Sequence, residues 1–508
     1  MGIPSYFSYI IKNYANIIRK FEKCEKIDNL FMDCNSIVYD CYYELEELYN
    51  KTPFDISTIE EILIKKVIEK IEYYIDFISP SKCVYITFDG VAPFAKMDQQ
   101  RIRRYKTLFM SKLSNSKKIW NTSSITPGTK FMEKLSKQIN DHFSKPRHIK
   151  MLISCSDEPG EGEHKLFKYI RDNDCLNDIV AVYGLDSDLI MLSICHTQFT
   201  KNIFVFREAP NFKNVVSKKY GKNDKLFMDI NELCISIKNE MGNKEECIYD
   251  YVLMCFLLGN DFLPHFPSLN IRTHGFKILQ ETYCNVIGKY QERSLIKNKK
   301  IEWKWLQLFL SEIAKNEKQY LCNELKSREL MSSRSEELEE LVTNVPIIYR
   351  EEEKYICPEE CGWEKRYNKV LLEGVEKREV CKEYIEGLEW VLKYYTKDCP
   401  DWRWRYRYDY PPLIKELKDE IKNVKCERFV EGYIGVALNA KTQLAYVLPA
   451  ENLYLIEGEN KLLKYPNLYP SQYEFKWCFC RYFWEAHPIL PEISMELLLE
   501  WDRENSKT

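Results

Sequence analysis

Along the chain, short apolar runs alternate with amphipathic stretches, and the runs end at acids. NLFM stops at Asp33 and CVYITF at Asp89. MLISC leads into SDEPGEGE, with Glu161 and Glu163, and IVAVYG leads into LDSD, with Asp186 and Asp188. A later run, YVLMCFLLGN, delivers Asp261. Short apolar runs bounded by turn residues predict buried strands. Between them, residues 58–78 place apolar side chains at 59, 62, 63, 67, 71, 74, 75 and 78, a helical spacing that Pro80 terminates. Residues 1–20 predict a short helix after a Gly-Ile-Pro turn, and 96–115, 129–143, 163–171 and 186–195 predict further helices. NIFVFRE closes the strand series. This alternation predicts an α/β fold with a mostly parallel central sheet flanked by helices. Ligands in such sheets bind beyond the C-terminal strand ends, where these acids fall.

Past residue 230 the pattern turns mostly helical, and 324–341 is charged enough to be a solvated helix or a connection. The chain divides into an α/β core over 1–275, a helical connecting segment over 276–345, and a second block over 346–500. That block mixes helices with short strands such as LAYVLP, packs on the core and completes the active site. Residues 501–508 are expected to form a frayed tail.

Composition adds restraint rather than direction. The 77 acids and 74 Lys and Arg give a net charge of −3, which does not advertise nucleic-acid binding. Setting the seven strand-end acids aside leaves the remaining surface slightly cationic, so a local basic channel has room to exist. The 19 cysteines show no repeated spacing and predict a reducing compartment. Cys357, Cys361 and Cys381 lack the second ligand pair that a zinc site needs. The N-terminus has neither a signal-peptide core nor, with Tyr6, a myristoylation pattern, and no apolar run is long enough to cross a bilayer. A monomeric, cytoplasmic protein without membrane attachment is expected.

The acids carry the chemistry. Carboxylates delivered to one sheet edge repel unless something positive sits among them. Oxygen-only donors without a His/Cys pattern favour Mg²⁺, with Mn²⁺ able to substitute. Two such ions are standard equipment for phosphodiester hydrolysis. A lone D-x-D is weak evidence, since surface loops produce it often. Two such pairs joined by two strand-terminal aspartates are much stronger. The stretch DGVAPFAKMDQQRIRRYK follows Asp89; as a helix it puts Lys96, Gln100, Arg103 and Arg104 on one stripe, an anion socket beside the acids. In YYTKDCPDWRWRYRYDYPP, Trp402 and Trp404 offer stacking platforms and Arg403, Arg405 and Arg407 offer phosphate contacts; a packed aromatic corner fits the residues equally well. His164 beside the acid pair reads as a local hydrogen-bonding residue. Phosphate-loop, serine-hydrolase and dinucleotide fingerprints are all missing.

Together MGIPSYFS, FMDCNSIVYD, the 89–106 stretch, SCSDEPGEGEHK, YGLDSDLIML, FLLGNDFLPH and EGLEWVLKYYTKDCPDWRWRYRYDYPP resemble, in order, the XRN family of 5′→3′ exoribonucleases. The resemblance implies a PIN/flap-nuclease-like core. It implies processive release of nucleoside 5′-monophosphates from single-stranded RNA bearing a 5′ monophosphate. By position it makes Asp33, Asp89, Glu161, Glu163, Asp186, Asp188 and Asp261 the catalytic metal acids, holding two Mg²⁺ ions. It makes Lys96, Gln100, Arg103 and Arg104 the phosphate pocket, and a ring at Tyr39 with Trp402 or Trp404 the sandwich for the terminal base. Tyr39 stands where the family usually has a His, so a pH dependence tied to that imidazole is expected to be absent. Phe94 stands where a basic residue is common. Three rivals share parts of this pattern. A flap-type DNA endonuclease has the acids, but GNDFLPHFPSLNIRTHG lacks the closely spaced glycines of a duplex-gripping turn. A dead, RNA-binding homologue is disfavoured because all seven acids are present. A phosphatase using Asp33 lacks its D-x-D.

Overall fold

The computed structural model describes residues 2–21, 26–113, 118–208, 224–331, 342–423, 435–458 and 461–506. Its centre is a seven-stranded sheet built from β1 (Ile18–Lys20), β2 (Asn29–Asp33), β3 (Cys83–Thr87), β4 (Lys150–Ser154), β5 (Ile179–Tyr183), β6 (Asn202–Glu208) and β7 (Lys225–Asp229), in the order β1-β7-β6-β5-β2-β3-β4. From β6 to β4 all neighbours are parallel, while β7 runs antiparallel to β6 and β1 antiparallel to β7. The runs NLFM, CVYITF, MLISC, IVAVYG and NIFVFRE form strands, whereas YVLMCFLLGN begins within the helix Cys247–Phe256. The residues of β2 before Asp33 are buried, as a sheet covered on both faces requires.

Helices cover both faces: α1 (Tyr6–Asn13), α2 (Asn35–Lys51), α3 (Ile59–Ile78), α4 (Phe94–Leu113), α5 (Lys130–Phe143), α6 (Gly162–Asp172) and α7 (Asp188–His196). The predicted helix over 58–78 is α3, whose Leu63, Val67, Ile71, Tyr74, Ile75 and Ile78 are buried. Thr129 caps α5 by accepting the Met132 N–H. Past the sheet, one hydrophobic core runs from Ile3 through Phe309 and Trp390 to Phe479, so the expected connecting segment and second block share it with the sheet.

Three expectations need correction. The N-terminal helix ends at Asn13, and Ile18–Lys20 joins the sheet as an edge strand. The apolar run LAYVLP is not a strand: Ala440–Val447 is a helix, capped by Asn439 and packed on α4. A short, wholly buried apolar run has no periodicity to separate strand from helix. Of the expected tail at 501–508, residues 501–505 are instead the end of the helix Met495–Asn505, in which Trp501 is fully buried and Asn505 donates to Thr442 Oγ1 at 2.9 Å, and 507–508 lie outside the described residues. The charged stretch 324–341 is helical up to Glu329, and its part over 332–341 lies outside the described residues.

Candidate active site

Parallel strands β2, β3 and β5 end side by side, and their C-terminal ends deliver the acids. Asp33 closes β2, Asp89 follows β3 by two residues, and Asp186 and Asp188 follow β5 at the start of α7. Glu161 and Glu163 stand at the start of α6, after the turn Pro159–Gly160. Gly162 between them is required: a Cβ there would lie 2.6 Å from Asp33 Oδ1. Its N–H donates to Asp89 Oδ1 at 2.7 Å, and Asn35 at the start of α2 clasps the other Asp89 oxygen.

All seven predicted acids converge. Burial pushes the Asp33 carboxyl well up, reinforced by Asp89 and Asp186. Burial and Asp188 do the same to Glu163, and burial with Asp261 lifts Asp188 to about 7. Asp89 rises through burial and the charge of Glu161. Burial opposes ionisation of Asp261 too, but the Lys96 ammonium outweighs it and holds that carboxyl well below the ordinary range.

Lys96 differs from the expectation placed on it. Its Nζ sits 2.6 Å from Glu161 Oε2 and 2.8 Å from Asp261 Oδ2, so it is a counter-charge within the acid cluster rather than one wall of a separate socket. Gln100 is buried with Oε1 unpartnered among the described residues, and so is Arg104 Nε. Arg104 donates to Thr126 Oγ1, makes no ion pair among the described residues, and has its guanidinium pushed down to about 10 by burial. Tyr39, half-buried on α2, stands near Arg104. Arg103 is exposed, and its charge reaches both Asp186 and Asp261.

The aromatic corner divides. Trp402 is half-buried, and its carbonyl accepts the Phe94 N–H at 2.9 Å at the start of α4. Trp404 is 4% exposed and stacks on Trp390 at 5.0 Å, against Gly387, so it is core and not a platform for a base. Arg405 pairs with Asp98 and Glu492, and Arg407 with Glu379 and Glu383, which corrects their reading as phosphate contacts.

Several contributors escaped the sequence reading. Gly2 donates its N–H to Asp261 Oδ1 at 3.0 Å, and a Cβ on it would lie 2.1 Å from Asp188 Oδ1. Tyr394, from the helix Lys377–Thr396, donates to Glu161 Oε1 at 2.6 Å, so the second block does reach the acids. His164 stacks on Tyr394 at 3.8 Å; burial lowers its pKa, leaving a neutral imidazole. With Glu161 and Glu163 it forms a group whose ligand atoms lie within 4.8 Å of one another. The MGIPSYFS opening held the signal for Gly2; nothing local marks Tyr394.

The donor set fits hard divalent cations. Asp33 Oδ1, Glu163 Oε2 and Asp188 Oδ1 are buried and meet no hydrogen-bond donor among the described residues. Buried anionic oxygens without partners call for a cation. Among the described residues, no cysteine joins a group able to hold a metal.

Comparison with known proteins gives the same direction. The sequence model of the XRN 5′-3′ exonuclease N-terminus matches residues 1–209, and that of the Xrn1 helical domain matches 240–355 and 349–505. A Saccharomyces cerevisiae protein named 5′-3′ exoribonuclease 1 is 25% identical over 98% of this chain and 43% of its own length. Its Schizosaccharomyces pombe counterpart is 25% identical over 98% of this chain and 48% of its own, so the chain spans less than half of either relative. The human 5′-3′ exoribonuclease 1 is 25% identical over 98% of this chain and 34% of its own. The solved catalytic core of Rad2 superposes with a TM-score of 0.33 at 14% identity, covering 83% of this chain and 94% of that one, too loosely to bear weight. No helix among the described residues is long and apolar enough to cross a membrane.

Proposed function

The chain belongs to the XRN 5′-3′ exonuclease family, and from that premise we propose that it degrades single-stranded RNA from a 5′-monophosphate end, releasing nucleoside 5′-monophosphates processively. One observation carries the reading: seven carboxylates converge at the strand ends, and on α4 the buried Gln100 and the half-buried Arg104 keep polar atoms unpartnered among the described residues.

The proposed roles follow from placement. Gln100, Arg103 and Arg104 receive the terminal phosphate, with the planar guanidinium of Arg104 already held by Thr126. Tyr39 and Trp402 bracket the first base. Lys96 stands between socket and acids and neutralises Glu161 and Asp261, lowering the local negative charge that would repel an incoming phosphodiester. Two divalent ions, Mg²⁺ or Mn²⁺, bound by the seven acids would supply an activated water and charge stabilisation at the leaving 3′ oxygen. Asn35 and the Gly162 N–H orient Asp89, and Tyr394 orients Glu161. A closed socket admits only a free end, which sets the polarity; a cap or triphosphate exceeds its size.

Four RNAs identical except for a 5′ phosphate, hydroxyl, triphosphate or cap test the reading. The phosphorylated RNA is expected to yield mononucleotides in Mg²⁺ and none in EDTA. Equal degradation of all four overturns the socket, and preferred cutting of a branched DNA flap overturns the exonuclease assignment. Asp186→Ala or Glu163→Ala is expected to cut turnover by about 10³-fold or more while the thermal midpoint is kept.

A further inference from the structure

Beyond the acids and the socket, a stacked aromatic pair stands at the surface among cations. Tyr482 and Trp484 lie face to face, with ring centroids 4.1 Å apart and planes inclined by 16°. Trp484 is 54% exposed. The Arg481 guanidinium lies 4.5 Å from the Tyr482 ring centroid, and that of Arg272 lies 5.6 Å from it. Lys106 donates to the Trp484 carbonyl. Glu485 fixes this arrangement, accepting from Arg272 at 2.6 Å and from the Arg481 N–H at 2.8 Å. One acid among three cations leaves the patch positive.

Two structural threads tie the pair to the candidate active site. Arg272 Nε donates to Ser5 Oγ at 2.9 Å, and the same N-terminal loop places Gly2 on Asp261. On the other side, Lys106 is one helical turn past Arg103 on α4, about 15 Å along the axis from Lys96 at a rise of ~1.5 Å per residue. The pair therefore stands where the N-terminal loop and the outer half of α4 meet.

We propose that Tyr482 and Trp484 form a stacking platform for a base of single-stranded RNA, apart from the acid cluster, with Lys106, Arg272 and Arg481 along its phosphates. The proposal rests on the exonuclease reading above. A flat, exposed ring edged by cations is the surface that single-stranded nucleic acid recognises without regard to sequence. A protein partner would need a contiguous apolar patch, whereas the rings here are bordered by charged groups. Such a platform would hold the strand while each new 5′ end moves into the socket.

The test is fluorescence anisotropy of the full chain in EDTA with a 5′-phosphorylated RNA of ~20 nucleotides. Trp484→Ala is expected to weaken binding about tenfold, while Trp484→Phe stays within about threefold of wild type, as one base–ring stack predicts. Unchanged binding by Trp484→Ala, or a loss as large for Trp484→Phe, overturns the proposal. As a check that needs no variant to fold, RNA carrying a photoactivatable uridine should crosslink the wild-type chain at Tyr482 or Trp484; crosslinks confined to other segments overturn it. Mononucleotide release in Mg²⁺ is read separately. Its absence in wild type removes the exonuclease reading, while binding and crosslinking still decide the platform.

Discussion

Lys96 shows how one side chain can answer two demands. Its helical position put it in a phosphate stripe, yet the acids beyond the strand ends draw its ammonium to Glu161 and Asp261. The buried carboxylates have few other sources of positive charge, so a flexible lysine at their edge moves toward them. Gly2 is the converse case, a residue whose lack of a side chain matters. It has φ of 54°, and any Cβ would strike Asp188. Gly2→Ala is therefore expected to displace the Asp188 carboxylate and lower kcat by about 10²-fold, the usual consequence of an ångström-scale misplacement at an active site. Single-turnover mononucleotide release checks this, and a kcat within a few-fold of wild type would show that the N-terminal loop has no part in placing the acids.

Among the elements, α4 does the most work, because its faces meet different partners. One face carries Gln100 and Arg104, with polar atoms unpartnered among the described residues. Another packs on Ala440–Val447, with Arg101 donating to the Pro491 and Leu468 carbonyls. The 394–412 segment divides similarly, since alternate residues of an extended chain face opposite sides. Trp404 turns into the core on Trp390 while Trp402 stays half-buried at the start of α4. Trp404→Ala is expected to cost about 3–5 kcal/mol of stability by opening a cavity. Trp402→Ala should leave the unfolding midpoint close to wild type and raise KM for phosphorylated RNA about tenfold. Denaturant unfolding and steady-state kinetics of the two variants separate these outcomes; an exchange of the two phenotypes would reverse the assignment.

At the scale of the whole molecule, buried polar clasps hold the second block to the rest. Arg328, at the end of the helix Glu317–Glu329, has a fully buried side chain and donates to both Glu353 oxygens, at 2.6 and 3.0 Å. It also reaches the Pro346, Phe479 and Cys480 carbonyls, closing three segments around one guanidinium. Arg328→Met leaves Glu353 buried and uncompensated and is expected to cost about 3–5 kcal/mol. Adding Glu353→Leu should restore part of that loss, and a urea titration of single and double variants measures it. Glu317 is a second clasp, accepting the Ile414 and Lys415 N–H groups at 2.7 and 3.0 Å. Burial pushes its carboxyl up to about 7. Between the ordinary carboxylate range and about 7, the folded chain holds a proton that the unfolded chain has released. The stability this group contributes therefore falls as pH rises through that window. The Tm of Glu317→Gln, measured relative to wild type, is accordingly expected to climb from pH about 5 to about 8, and a pH-independent difference would refute it.

Much of this was written locally. The five parallel strands were legible because short apolar runs bounded by turns have few alternatives, and the acids were legible because strand ends of a parallel sheet share one edge. The shared stripe of Gln100 and Arg104 followed from helical spacing alone. Tertiary structure decided what depends on distant partners: that Trp404 is core, that Lys96 joins the acids, that Ala440–Val447 is helical, and that Trp501 docks instead of fraying. It also decided that Gly2 and Tyr394, 392 positions apart in sequence, meet the same cluster. Periodicity reports which face of an element is apolar, but the neighbour that covers the face, or the charge that claims a side chain, comes from elsewhere in the chain and appears only when the chain is folded.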